Sequence, residues 1–244
     1  MGDLERRGWY LLDNINLYLG DNREILRDLP TGAAHLLITD PPYGVSYISH
    51  MSRYAPTKPI HNDHDLGSLA EIIPQLDRVM AHDSHLYIFC SWRKIQDTID
   101  LLPWELRNII IWDKGDGGTA GDLRRTYSQN WEVILFCCKG DRFLRNNPRP
   151  RALIRVNWNA TYDTRHPTSK PVELMKRLIL QSSLPGETVL DPFMGSGPVV
   201  EAAIELGRGI IGIEIDPLYY DRAVKRSLQR PLAGGILEDR GDPK

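Results

Sequence analysis

Two short runs in this chain carry the residue types of a reaction centre. Asp40-Pro41-Pro42-Tyr43-Gly44 follows one apolar segment, and Asp191-Pro192-Phe193-Met194-Gly195-Ser196-Gly197 follows another. The first has the parts needed to act on an amino group of a planar base. Such an amine is a poor nucleophile, because its lone pair is delocalised into the ring. Two acceptors aimed at its hydrogens would favour a tetrahedral nitrogen and free the lone pair. The Asp40 carboxylate supplies one acceptor and the Pro41 carbonyl the other. Pro41 and Pro42 stiffen the turn and remove two N–H groups from it. Tyr43 offers a flat face for stacking. A base inside a duplex is out of reach, so it must be flipped out. Taken alone, the same residues also read as an Asp-led Pro-Pro-Gly turn after a strand.

The second run is a strand end, a glycine-rich turn and a helix start. Gly195 and Gly197 let the backbone pass close to a ligand. The Gly-Lys-Ser/Thr of a phosphate loop is absent, so the turn reads as a nucleotide-cofactor turn of another kind. The next apolar run, Gly209–Ile215, carries Glu214 near its end. An acidic residue there is placed to accept ribose hydroxyls. Asp216, just before Pro217, suits a helix cap instead. In His166-Pro167-Thr168-Ser169-Lys170-Pro171, Ser169 reads as a cap and Pro171 as a first-turn residue. Neither role explains Lys170, a cation expected to pair with a carboxylate of the cofactor. Asp21 either faces the cofactor's adenine edge or caps the helix that follows it.

The elements around these residues alternate. Ile15–Leu19, His35–Thr39, His85–Cys90, Asn108–Trp112, Glu132–Cys138, Thr188–Leu190 and Gly209–Ile215 read as strands buried on both faces. Arg23–Leu29, Leu69–Met80, Trp92–Leu102, Val172–Gln181, Val199–Leu206 and Tyr219–Leu228 read as helices. The alternation predicts an α/β, doubly wound, mostly parallel sheet, which binds ligands beyond the carboxyl ends of its strands. Both motifs sit at such ends.

The net charge of −2 is not that of a general nucleic-acid coat. From Arg107 to Arg155, however, ten basic residues against five acidic ones give a local charge of +5. Much of Asp113–Arg165 is also irregular. Cys90, Cys137 and Cys138 form no CxxC pair and read as core thiols, so neither a zinc site nor a disulfide framework is expected. No stretch has the length and apolarity of a membrane span. These features imply a cytoplasmic protein without a resident metal.

The ordered set resembles the β-group DNA amino-methyltransferases, in which the catalytic motif precedes the cofactor motif. The likeness runs from Leu17–Asp21 through Ile38–Gly44, Ile111–Lys114, His166–Pro171 and Leu190–Gly197 to Gly212–Asp216. It implies a seven-stranded, Rossmann-like methyltransferase sheet with circularly permuted motif order. It further implies one domain over residues 1–244, with a target-recognition insertion at about 113–165. By resemblance, Asp40, Pro41, Pro42 and Tyr43 are catalytic and base-stacking residues. Asp21, Asp40, Lys170, Asp191, Phe193, Gly195, Ser196, Gly197 and Glu214 hold S-adenosylmethionine. Double-stranded DNA is the implied partner, and because some relatives pair, a homodimer is compatible with it. Asp rather than Ser before Pro-Pro-Tyr leans to the N6 amino group of adenine. N4-cytosine methylation, RNA base methylation and a non-catalytic DNA-binding relative are the alternatives. The chain departs from the family pattern at Ser169, where Gln is common, and at Pro198-Val199, where Thr-Thr is common.

Overall fold

The structure, a computed structural model, describes residues 9–12, 14–42, 66–115, 124–125, 127–145, 149–158 and 170–228. Runs of Ile, Leu and Val with no polar alternation can bury both faces, which is what an interior strand of a covered sheet requires. The strands are β1 (Trp9–Leu12), β2 (Ile15–Leu19), β3 (Ala34–Thr39), β4 (Met80–Cys90), β5 (Glu105–Asp113), β6 (Trp131–Lys139), β7 (Leu153–Arg155), β8 (Thr188–Asp191) and β9 (Gly209–Glu214). The helices are α1 (Asn22–Asp28), α2 (Gly67–Val79), α3 (Ile95–Leu101), α4 (Val172–Ser182), α5 (Pro198–Glu205) and α6 (Pro217–Leu228). A 3-10 turn over Trp92–Lys94 leads into α3.

Among the described residues, nine strands form one sheet in the order β1-β2-β9-β8-β3-β4-β6-β5-β7. From β2 to β4 every neighbouring pair is parallel, whereas β6 runs antiparallel to both β4 and β5. The seven expected strands form the contiguous middle, so the doubly wound α/β sheet is as anticipated. Among the described residues the count is nine rather than seven. β1 adds antiparallel to β2 at one edge, and the three-residue β7 adds parallel to β5 at the other. Strands this short are held by their neighbour's backbone rather than by a pattern of their own.

Helices cover both faces. Val172, Leu178, Val199, Ala203, Tyr220 and Ala223 bring α4, α5 and α6 into one core with the strand side chains Leu36, Ile38 and Val189. Leu26, Leu69, Ile72 and Leu76 bring α1 and α2 into the other core, against Leu37, Leu190 and Ile213. Leu36, Leu37 and Ile38 are all buried although they are consecutive, which is why the sequence shows no alternation there. The three cysteines lie buried on β4 and β6. Burial pushes the Cys90 and Cys137 thiols up to about 12, which marks them as inert core groups. Among the described residues, no helix is long and apolar enough to cross a membrane.

The stretch expected as a recognition insertion is threaded by β6, a buried strand of the sheet. Its basic residues are accordingly divided. Lys139 ends β6 at the far, amino end of the parallel sheet, where it pairs with Asp77. Arg142 binds Glu187 and the carbonyls of Ser182 and Asp83 at that same end. Arg145 is anchored there too, since its N–H bonds Gln181 at the close of α4. These three lie at the opposite end of the sheet from the motifs.

Candidate active site

The chain winds away from β8 in two directions: α5 leads to β9 on one side, and β3 with β4 lies on the other. The parallel register pairs Leu36 with Val189 and Leu37 with Leu190. Continued upward, it sets Asp191 beside Ile38 and places Asp40 just beyond. The two motifs therefore end adjacent strands at the point where the sheet order reverses, which is where open α/β sheets form their ligand crevice.

The glycine-rich turn is fixed by its own backbone. Met194 N–H bonds Ile213 O at 3.0 Å, and Gly197 N–H bonds Met194 O at 2.9 Å. Gly195 has φ 51° and Gly197 φ 85°. Gly197 ends the turn as the cap residue of α5, with Pro198 at the first helical position. A Cβ on Gly197 would meet Ala223 at 2.8 Å, so glycine is what lets α6 approach. A Cβ on Gly195 would meet nothing within 4 Å, so open space lies beside that backbone. Ser196 is buried, and Phe193 packs partly into the core.

Glu214 closes the turn from β9. Its carboxylate accepts the Gly195 N–H at 2.9 Å and the Asp216 N–H at 2.8 Å. Burial raises its pKa, and those N–H donors oppose the rise. Asp191 is 4% exposed and accepts the Phe193 N–H at 3.1 Å. Burial pushes its carboxyl well above the usual carboxylate range. Phe193 opposes that shift, while the charges of Asp40 and Glu214 add to it. Asp191 thus feels both other acidic groups across the crevice. Asp216 caps α6 through the Leu218 N–H, as expected.

Asp21 takes the capping role. It accepts the Arg23 N–H at 2.9 Å and holds the Arg23 guanidinium, which also reaches Glu71. Gly20 N–H bonds Glu214 O, so this corner still borders the cofactor turn. Pro171, expected inside α4, is instead its cap residue, with extended backbone at ψ 133°. Ser169 and Tyr43 lie outside the described residues.

Lys170 lies between Asp40 and Glu132. Its Nζ is 2.5 Å from Asp40 Oδ2 and 3.1 Å from Glu132 Oε2, and its side chain is 10% exposed. It also sits 5.2 Å from the centroid of the Phe89 ring. Glu132 in turn binds Lys114 Nζ at 2.7 Å. Burial would lower the Lys170 ammonium, but Asp40 and Glu132 outweigh it and hold its pKa above the ordinary lysine value. Burial would likewise raise Glu132, but Lys170 and Lys114 hold it below the usual range. The result is an alternating row, Asp40–Lys170–Glu132–Lys114, across the carboxyl end of β3, the start of β6 and the end of β5. Lys170 is thus ion-paired to Asp40 in the Asp-Pro-Pro turn and to Glu132. Glu132 and Lys114 were not singled out from sequence. The one signal was a charged residue heading the wholly apolar run Val133–Cys138.

An acidic crevice at a sheet reversal, flanked by Asp-Pro-Pro and a Gly-x-Gly turn, fits the architecture of an α/β enzyme that binds a nucleotide cofactor. A family profile described as DNA methylase matches residues 34–225, and the chain belongs to that family of N6/N4 amino-methyltransferases. It is 30% identical to the DNA adenine methyltransferase YhdJ of Escherichia coli (strain K12), with 85% of this chain and 80% of that protein aligned. It is similar to the crystal structure of an M1.HpyAVI–SAM complex at 29% identity and a TM-score of 0.69, covering 88% of this chain and 98% of that one. PvuII DNA methyltransferase, described as cytosine-N4-specific, shares the fold at a TM-score of 0.73 and 15% identity, covering 89% of this chain and 87% of that one. Members of the family take their methyl group from S-adenosylmethionine. The open space beside Gly195 and the acidic cluster of Asp191 and Glu214 fit a ligand carrying ribose hydroxyls, an amine and a sulfonium.

Proposed function

We propose that this protein methylates the N6 amino group of adenine in double-stranded DNA, with the target base flipped out of the helix. The observation that carries the reading is the placement of Asp40 and Asp191 at the carboxyl ends of neighbouring strands. An amine acceptor and a cofactor turn thereby share one crevice. Glu214, Asp191, Phe193 and the backbone of Gly195–Gly197 would hold S-adenosylmethionine. When bound, this group supplies an electrophilic methyl carbon. Asp40 and the Pro41 carbonyl accept the two amine hydrogens and draw the nitrogen lone pair out of conjugation. Pro41 is buried, and its ring fixes the backbone φ of the residue that carries the carbonyl. Tyr43 stacks on the flipped base.

Asp40 itself and the likeness to an adenine enzyme support adenine over cytosine. Expression in a host lacking DNA methylation, followed by digestion and mass analysis of the nucleosides, tests this. N6-methyladenine is expected with the wild type and is lost with Asp40→Ala, while cofactor binding persists. N4-methylcytosine instead would establish the other amine. Methylated RNA with unmodified DNA would replace the substrate class.

A further inference from the structure

Asp40 has a conflict to resolve. To aim an oxygen at an amine hydrogen its carboxylate must be able to turn, yet Lys170 Nζ holds it by Oδ2 at 2.5 Å. Lys170 lies on the Phe89 ring, and a buried ammonium that loses a carboxylate is strongly destabilised. Glu132 supplies the alternative. Its Oε2 is 3.1 Å from the same nitrogen, and its Oε1 is held from the far side by Lys114. Asp40 follows β3, Glu132 heads β6 and Lys114 follows β5, so three different parts of the sheet fix the row. β4 provides its floor through Phe89.

We infer that Glu132 is a positioning residue for methyl transfer: it takes over the charge of Lys170 when Asp40 turns to the target amine. Resting on the proposed reaction at Asp40, this assigns a purpose to a carboxylate outside both motifs. Glu132 touches neither base nor cofactor in this scheme. Its effect reaches the reaction through Lys170, while Lys114 keeps Glu132 ionised and aimed. Without Glu132, releasing Asp40 would strip a second anion from the same buried ammonium, and Asp40 would stay locked.

The test compares wild type, Glu132→Gln, Glu132→Asp, Lys170→Met and the Glu132→Gln/Lys170→Met double variant. Each is measured for S-adenosylmethionine affinity by calorimetry and for single-turnover methylation of unmethylated genomic DNA at saturating cofactor. Glu132→Gln should lower the turnover rate by roughly tenfold or more, as expected for a contact that matters only in the reacting state. Its cofactor affinity should stay within about twofold of wild type, which also reports that it folds. Glu132→Asp should recover part of the rate, because it restores the anion. In the Lys170→Met background, Glu132→Gln should have little further effect, because the residue acts through Lys170. An active wild type with an unimpaired Glu132→Gln overturns the inference alone. So does a Glu132→Gln variant that loses cofactor binding, or a double variant whose effects simply add. An inert wild type overturns the proposed function and this inference with it.

Discussion

Replacing Gly197 with alanine should damage the protein far more than the same change at Gly195, two residues away in the same turn. Both glycines have positive φ, 85° and 51°, so each alanine carries the left-handed backbone cost of about 1–2 kcal/mol. Only Gly197 adds a collision. Its new Cβ would lie 2.8 Å from Ala223 Cβ and 2.9 Å from Ala223 Cα. Ala223 is fully buried on α6, so no flexible side chain can yield. Overpacking of that kind costs about 1–3 kcal/mol, which brings Gly197→Ala to about 2–5 kcal/mol. For a chain of this size the melting temperature should fall by about 4–20 °C, against about 2–8 °C for Gly195→Ala. Thermal unfolding followed by circular dichroism, with urea titration as a second measure, reads both. A Gly197→Ala protein melting like wild type, or a Gly195→Ala protein equally damaged, would refute the packing argument.

Glu214→Gln should weaken S-adenosylmethionine binding by about 1–3 kcal/mol, the range for a lost charge-assisted hydrogen bond, and unchanged calorimetric affinity would remove Glu214 from the site. Asp191 is an acid whose pKa is raised in the folded chain, so its favourable contribution exists at low pH and is lost as pH rises from the free carboxyl value through the raised one. Asp191→Asn should therefore melt higher than wild type near neutral pH, with the advantage shrinking toward about pH 4, and a pH-independent gap would contradict the assignment. Arg149 and Arg151 are exposed on the approach to β7, so replacing both with alanine should flatten the salt dependence of DNA binding; an unchanged slope would place the phosphate contacts elsewhere.

The sheet was legible wherever a strand is buried on both faces. Consecutive apolar residues such as Leu36, Leu37 and Ile38 announce an interior strand without any further clue. β1 and β7 were not legible, because an edge strand needs only a neighbour's free backbone groups. The motif residues Asp191, Glu214 and Asp216 fell where their spacing from strand ends put them. Asp21 was ambiguous because a short carboxylate before a helix can serve the helix or a ligand, and the structure shows it capping α1. Lys170 fell in the expected crevice, but its pairing with Glu132 was not legible. Glu132 is 38 positions earlier in the chain, and the pairing of β6 with β4 and β5 brings that strand end to the site. The basic stretch was read as one surface, whereas β6 carries Lys139, Arg142 and Arg145 to the opposite end.

The strand order also dictates when this protein can become an enzyme during its own synthesis. β2 is made early, yet it pairs with β9, matching Ile15 to Ile210. β3 has β4 on one side soon after translation, but its other neighbour, β8, arrives with Val189 opposite Leu36. Until then the nascent chain carries an apolar strand with one row of backbone groups unpaired, a template for association with other chains. Pairings this distant along the chain are slow to close, so folding should be late and cooperative rather than progressive. A ribosome-bound chain ending before β8 would hold the Asp40 turn without the strand that stands beside it. Chaperone demand should peak in that interval and fall once the last strand has been inserted between β2 and β8.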